Sequence, residues 1–377
     1  MSYPLFQFTS IARDITSKFS KIKSAEYLKE GEFRIIDQSE NFVAGYTNDY
    51  SLITNINKPV IVFGDHTKVF KYIDFDFAIG ADGVKVIEVD KRKVCAEYFY
   101  YYLKTIKLPN AGYSRHYKFL KQIKIPIPNN YPDQIRIATV LSKAEELIKQ
   151  RKESIALLDE LLKSTFLQMF GNSSKNIKDF SKGTIRDVVK DVKYGTSKPA
   201  VDNGKYPYLR MNNITADGYM DLSSLKYIDI DDSEKEKYVV KKGDLLFNRT
   251  NSKELVGKTG IYNEEKEMVI AGYLIRVRTN ERANPWYLWG YLNSVHGKKT
   301  LFGMCKSIVG MANINAQEFQ NIKILIPPIG FQNQFAQIVE KVELLKKEFN
   351  TSLKELENLY GSLSQRAFKG ELDLSNC

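Results

Sequence analysis

Three stretches of this chain combine hydrogen-bond donors, cations and aromatic rings in loop-like sequence. The first is Tyr113-Ser114-Arg115-His116-Tyr117-Lys118. The second is Asn248-Arg249-Thr250-Asn251-Ser252-Lys253, extended by Gly257-Lys258-Thr259. The third joins Thr196-Ser197-Lys198-Pro199 to Arg210-Met211-Asn212-Asn213. These side chains suit contacts with a polyanion that carries readable base edges. Arg can hold guanine O6 and N7, and Asn or Gln can hold adenine N6 and N7, each pairing worth about 1–3 kcal/mol of discrimination. Lys is more often a phosphate contact. The candidate contacts are Tyr113, Arg115, His116, Lys118, Lys198, Arg210, Asn212, Asn213, Asn248, Arg249, Thr250, Asn251, Ser252, Lys253 and Lys258. Each stretch also reads as a solvated polar turn whose Asn and Thr satisfy the local backbone.

Catalytic signatures do not survive inspection. Val256-Gly257-Lys258-Thr259 resembles the end of a phosphate-binding loop, but that motif needs glycine where Ser252 stands. Three scattered histidines (His66, His116, His296) lack the spacing of a metal site. Glu264-Glu265-Lys266 lies in a charged, loop-like run, out of context for a nuclease. No Asn-Pro-Pro-aromatic tetrapeptide and no glycine-rich strand–turn for S-adenosylmethionine is found. The sequence reads as non-catalytic, with no cofactor and no metal.

Lys and Arg number 56 against 45 Asp and Glu, a formal charge of +11 that favours an anionic partner. Cys95, Cys305 and Cys377 are too far apart to frame a disulfide scaffold, which points to a reducing cytoplasm. No secretory signal is visible, and no apolar run approaches the roughly 20 residues that cross a bilayer, so no membrane association is expected.

The elements that must position these loops come in two copies. A helical stretch runs from about Asp133 to Phe170 and another from about Asn333 to Phe368. Apolar residues follow steps of three and four: Leu141, Ala144, Ile148, Ile155, Leu158, Leu162 and Met169, then Val339, Val342, Phe349, Leu353, Leu356, Tyr360, Leu363 and Ala367. That is the seam of a left-handed coiled coil. Arg151, Thr165 and Lys346 interrupt it; long charged stems there can snorkel and need no partner. The copies align when slid by about 198 residues. Ile123–Pro128 leads into the first and Ile322–Pro327 into the second, with Gln134 and Gln332 just beyond.

Ahead of each helix the same order of strands, turns and one aromatic helix is expected. The fold class is therefore α+β: two similar globular domains related by a pseudo-two-fold, joined by two long helices in an antiparallel coiled coil. The expected divisions are 1–130, a helix at 131–171, a linker at 172–182, 183–328, a helix at 329–370 and a tail at 371–377. A 36-residue helix spans about 54 Å at 1.5 Å per residue. The loops differ between the halves, as two recognition domains would need or as drift after duplication would produce.

Together these features resemble the specificity subunit of type I DNA restriction–modification systems across essentially the whole chain. The resemblance rests on the helical repeats and their Ile/Pro entries. It rests also on Val60–Thr67 with Gly80–Gly83 and Gly112–Tyr117, and on the long string Gly243–Thr259. It implies a non-catalytic DNA-recognition subunit in which each target-recognition domain reads one half of a split target. Because the loop sets differ, the target would be asymmetric. The helices would set the gap and dock two methyltransferase subunits, and motor–nuclease subunits would complete the complex. S-adenosylmethionine, ATP and Mg²⁺ would belong to those partners. Half-sites about one turn (~34–36 Å) apart suit helices of this length. Leu147, Leu157 and Leu161 point away from the seam. They could meet partner helices or pack on the adjacent recognition domain.

Overall fold

The computed structural model describes residues 3–109, 115–171, 176–308 and 311–374, the side chains of 306–308 excepted. The chain divides into two compact units, one made of Met1–Lys152 with Thr351–Cys377 and the other of Glu153–Asn350.

In the first unit, β1 (Leu5–Gln7) pairs with β10 (Lys124–Pro126). One four-stranded sheet joins β2 (Ala12–Asp14), β9 (Val84–Val89), β6 (Val60–Gly64) and β7 (Phe70–Ile73) in that order, all antiparallel. A second joins β3 (Lys21–Ile22), β8 (Phe77–Gly80), β4 (Phe33–Ile36) and β5 (Gly45–Thr47). β6 is apolar throughout because both its faces are covered. Ile61 and Phe63 join Tyr98, Phe99 and Leu103 of the aromatic helix Ala96–Thr105, while Val60 and Val62 meet Ile36, Phe77 and Ile79 of the second sheet. The layers are helix, sheet, sheet.

The second unit repeats this plan. β11 (Ser181–Thr184) pairs with β23 (Lys323–Ile326). β12 (Val189–Tyr194), β20 (Leu274–Thr279), β16 (Leu245–Asn248) and β18 (Thr259–Ile261) reproduce the first sheet, strand for strand. In the second sheet, β14 (Lys226–Ile228), β13 (Tyr206–Leu209) and β19 (Met268–Ile270) match β5, β4 and β8. The fourth position departs from the expected repetition. β3 lies parallel to β8, whereas β15 (Val239–Val240) comes from later in the chain and runs antiparallel to β19. A small extra sheet combines β17 (Thr250–Asn251), β21 (Lys306–Ile308) and β22 (Met311–Asn313).

The long helices span Tyr131–Phe170 and Ile329–Lys369, 40 and 41 residues, roughly 60 Å each. Each ends at a glycine in the left-handed region, Gly171 at φ 73° and Gly370 at φ 74°, the usual helix stop. Their beginnings are fastened alike. Buried Gln134 donates to the carbonyls of Lys93 and Pro128 and accepts from Cys95 N. Buried Gln332 donates to the carbonyls of Arg282 and Pro327 and accepts from Asn284 N. Two tyrosines of each aromatic helix cap the strand leading in: Tyr98 on Pro126 O and Tyr102 on Lys124 O, then Tyr287 of helix Pro285–Asn293 on Leu325 O and Tyr291 on Lys323 O.

The helices pack with opposite polarity. In the first unit Ile137, Ala138 and Leu141 share a core with Ala367, and Leu363 packs against it. In the second, Leu162, Phe166 and Phe170 share one with Phe335, Ala336, Val339 and Val342. Early residues of one helix thus meet late residues of the other, an antiparallel pairing. Lys346, a seam cation that needed no partner to be tolerated, has one. Its ammonium donates to Asp159 at 2.8 Å and sits 3.4 Å from the centroid of the Tyr219 ring, and Tyr219 donates its hydroxyl to Asp159 at 2.6 Å. A buried ammonium this far from water needs a counter-charge.

Candidate nucleic-acid interface

In both units one backbone pattern brings the candidate loops to the same place. The residue after the central strand donates to the turn between β8 and β9, or between β19 and β20, and accepts from the segment that precedes the long helix. In the first unit that residue is Asp65: its N–H donates to Gly83 O at 2.6 Å, and its carbonyl accepts from His116 N at 3.0 Å. In the second it is Arg249: its N–H donates to Tyr273 O and its carbonyl accepts from Ile314 N, both at 2.9 Å. Equivalent positions therefore carry opposite charges.

In the first unit, Arg115 and Lys118 are exposed. His116 is buried, with Nδ1 2.9 Å from Asp65 O, so Nδ1 carries the proton and the ring anchors the loop. The Asp65 carboxylate accepts from Tyr117 N at 2.7 Å. Burial, with Asp14 and Asp65 nearby, pushes the Tyr117 phenol up to about 12. Tyr113 lies outside the described residues.

In the second unit the turn Ala271–Tyr273 is the meeting point. Ala271 N donates to Leu209 O, the residue before Arg210, and Gly272 N donates to Thr196 O. The Arg249 guanidinium lies 4.9 Å from the Tyr194 ring centroid and donates to Gly272 O. Exposed Tyr194 and Tyr273 flank it. Thr250 donates to the Asn313 side chain at 3.2 Å, and Thr250 and Asn251 form the edge of the small sheet. Ser252 is half-buried in the turn that follows, Lys253 is exposed with its ammonium 4.3 Å from the Phe302 ring, and Asn212 is exposed. Tyr194, Tyr273 and Asn313 escaped sequence reasoning. The only available signal was the Ala-Gly-Tyr turn, whose neighbours are distant in sequence.

Other candidates are buried, half-buried or already paired. Lys258 is buried and donates to Met211 O and Ile214 O, and burial lowers its pKa. Asn213 is buried, donating to Asp221 O and Ser224 O and accepting from Arg210 N. Asn248 is 0 % exposed, and its amide has no hydrogen-bond partner. Lys198 faces Glu234 at 2.6 Å and Asp231 at 3.7 Å, so its charge is already matched. Arg210 is half-buried, with Nε lacking a partner. Leu147, Leu157 and Leu161 are 50, 61 and 48 % exposed. Among the described residues no group of His, Cys, Asp and Glu could hold a metal, and no helix is long and apolar enough to cross a membrane.

The geometry defines a class: a duplicated scaffold with unlike residues, a buried aspartate and a half-buried arginine, at matched loop positions. The family model for the type I restriction modification DNA specificity domain matches residues 13–157 and again 177–358. The chain belongs to that family. It is 26% identical over 270 residues to the EcoKI specificity subunit of Escherichia coli strain K12, covering 66% of this chain and 58% of that one. It is 28% identical over 194 residues to the putative MjaX specificity subunit of Methanocaldococcus jannaschii, covering 50% and 45%. The EcoR124I/EcoR124II specificity subunit of Escherichia coli is 21% identical over 356 residues, covering 88% and 84%. The chain thus spans about half the length of the first two. The fold is shared with the S subunit of a type I restriction-modification system from M. genitalium, at a TM-score of 0.64, 14% identity and 98% and 96% coverage. It is shared also with a chain from a type I R-M system described for its complex assembly, at 0.55, 17% and 98% of both chains.

Proposed function

We propose that this chain is the DNA-sequence-recognition subunit of a type I restriction–modification complex acting in the cytoplasm, with no chemistry of its own. Residues 1–130 and 183–328 are its recognition domains, each reading one half of a split, asymmetric target. The long helices fix the gap, and their exposed leucines Leu147, Leu157 and Leu161 dock two methyltransferase subunits, to which motor–nuclease subunits are added. One observation carries the reading: at equivalent positions of the loop ends, Asp65 of one unit is buried with its carboxylate engaged by Tyr117 N, whereas Arg249 of the other is half-buried against the exposed Tyr194 ring. The repeated frame thus offers different chemistry in its two halves. Arg115, Lys118, Asn212, Arg249, Thr250, Asn251, Ser252 and Lys253 remain as contacts, being exposed or at the edge. The test is to co-express the chain with its methyltransferase and map methylated bases genome-wide. Two short half-sites with a fixed unspecified gap are expected. A continuous motif would mean that one domain alone reads, and no new methylation by an assembled complex would refute the proposal.

A further inference from the structure

A residue outside every stretch singled out above occupies the centre of the first unit's loop end. Gln38 follows β4 by two residues, and its side chain lies across Gly83: a Cβ on Gly83 would stand 2.4 Å from Gln38 Oε1 and 2.7 Å from Nε2. Gly83 has φ 70°, so only glycine suits both the turn and the overlying amide. At Gly64 the first obstacle to a Cβ is Thr67 Oγ1, with Gln38 Cβ beyond it at 3.0 Å.

The amide is oriented. His66 N donates to Oε1 at 3.4 Å, which identifies the oxygen and leaves its second lone pair open. Nε2 has no hydrogen-bond partner among the described residues. The backbone beneath is rigid. The buried ammonium of Lys71 donates to Asp37 O and Asn41 O, Thr67 Oγ1 donates to Gln38 O at 2.6 Å, and Ser39 N and Oγ donate to the Asp37 carboxylate. The second unit holds the matching turn after β13 by the same device, with Lys258 on Met211 O and Ile214 O. A buried lysine thus fixes the same turn in both units, as a platform for a side chain that must be aimed.

We propose that Gln38 is a specificity-determining residue of the first recognition unit, reading an adenine through its free Nε2–H and the open lone pair of Oε1. An acceptor and a donor side by side on one plane match adenine N6–H and N7 in the major groove. This rests on the DNA-reading role proposed above. Gln38→Ala and Gln38→Glu are placed in the chain, each variant is co-expressed with the methyltransferase, and the methylated sites are mapped. The wild-type motif should hold an adenine in one half-site. Gln38→Ala should relax that position alone, with discrimination falling roughly ten- to a hundredfold. Gln38→Glu, which keeps the shape but has no donor for N7, should disfavour adenine and admit cytosine. The other half-site is the internal control for folding and should stay unchanged in both variants. An unaltered motif in both variants, or weakening spread evenly over both half-sites, would overturn the assignment. An assembled wild-type complex that methylates no split motif would overturn the DNA-reading role itself, and this assignment with it.

Discussion

Replacing Lys346 with alanine should strongly destabilise the second unit. The ammonium donates directly to Asp159, and its removal also takes away the cation–π contact with Tyr219. Glu343, whose carboxyl is 3.7 Å from the same ammonium and held above its usual pKa by burial, would be left near Asp159 with no counter-charge. Removing one partner of a buried pair costs about 3–5 kcal/mol. Asp159 keeps a quarter of its side chain in solvent, so the lower end applies, ~3 kcal/mol. For a unit of this size that is a loss of roughly 6–12 °C in Tm. Trp286 and Trp289 are the only tryptophans in the chain and both lie in the second unit, with the Trp289 ring 5.7 Å from that of Tyr219. Intrinsic fluorescence during thermal or urea unfolding therefore reports the unit in question. Adding Glu343→Gln should recover part of the loss. A shift below about 1 kcal/mol, or one that Glu343→Gln leaves untouched, would refute the electrostatic account and reduce Lys346 to its stem packing.

Glu343→Gln alone should stabilise the second unit at pH 7. A carboxyl with a raised folded-state pKa contributes stability that is present below its ordinary pKa and lost as pH rises through the folded value, so the advantage of the variant should fade between pH 7 and about 4.5. A fluorescence-detected advantage independent of pH would argue otherwise. Gln332→Ala removes three buried hydrogen bonds and should cost about 2–4 kcal/mol in the tryptophan transition, whereas Gln134→Ala, its counterpart in the first unit, should leave that transition in place. Lys253→Ala should lower the salt dependence of DNA binding by about one unit of slope, and Lys258→Met should not, because that ammonium is already engaged on two carbonyls; equal slopes would reverse the assignment.

What the sequence disclosed was whatever repeats or follows a period. The Gln134/Gln332 pair, the Ile/Pro entries and the seam residues were readable because each copy vouches for the other. The strand exchanged at the sheet edge, β3 against β15, was not, since two residues of apolar sequence do not announce the direction in which they pair. Residue type does not disclose burial. Asn213 and Lys258 have the chemistry of a DNA contact, and that same chemistry suits them to hold the carbonyls of a turn. Gln38 stayed invisible for the opposite reason: its meaning depends on Gly83, 45 positions away in sequence but in contact in the fold.

The division of the chain bears on how it comes off the ribosome. The second unit is contiguous, Glu153–Asn350, whereas the first is interrupted by it and resumes at Thr351. The core of the first unit includes Ala367, with Phe368 against Tyr98 and Tyr102. The part begun earliest in synthesis is therefore closed last, holding an open apolar face while some 200 further residues emerge and fold. The nested unit should acquire its protease resistance first, and loss of the segment after residue 350 should expose the other one alone.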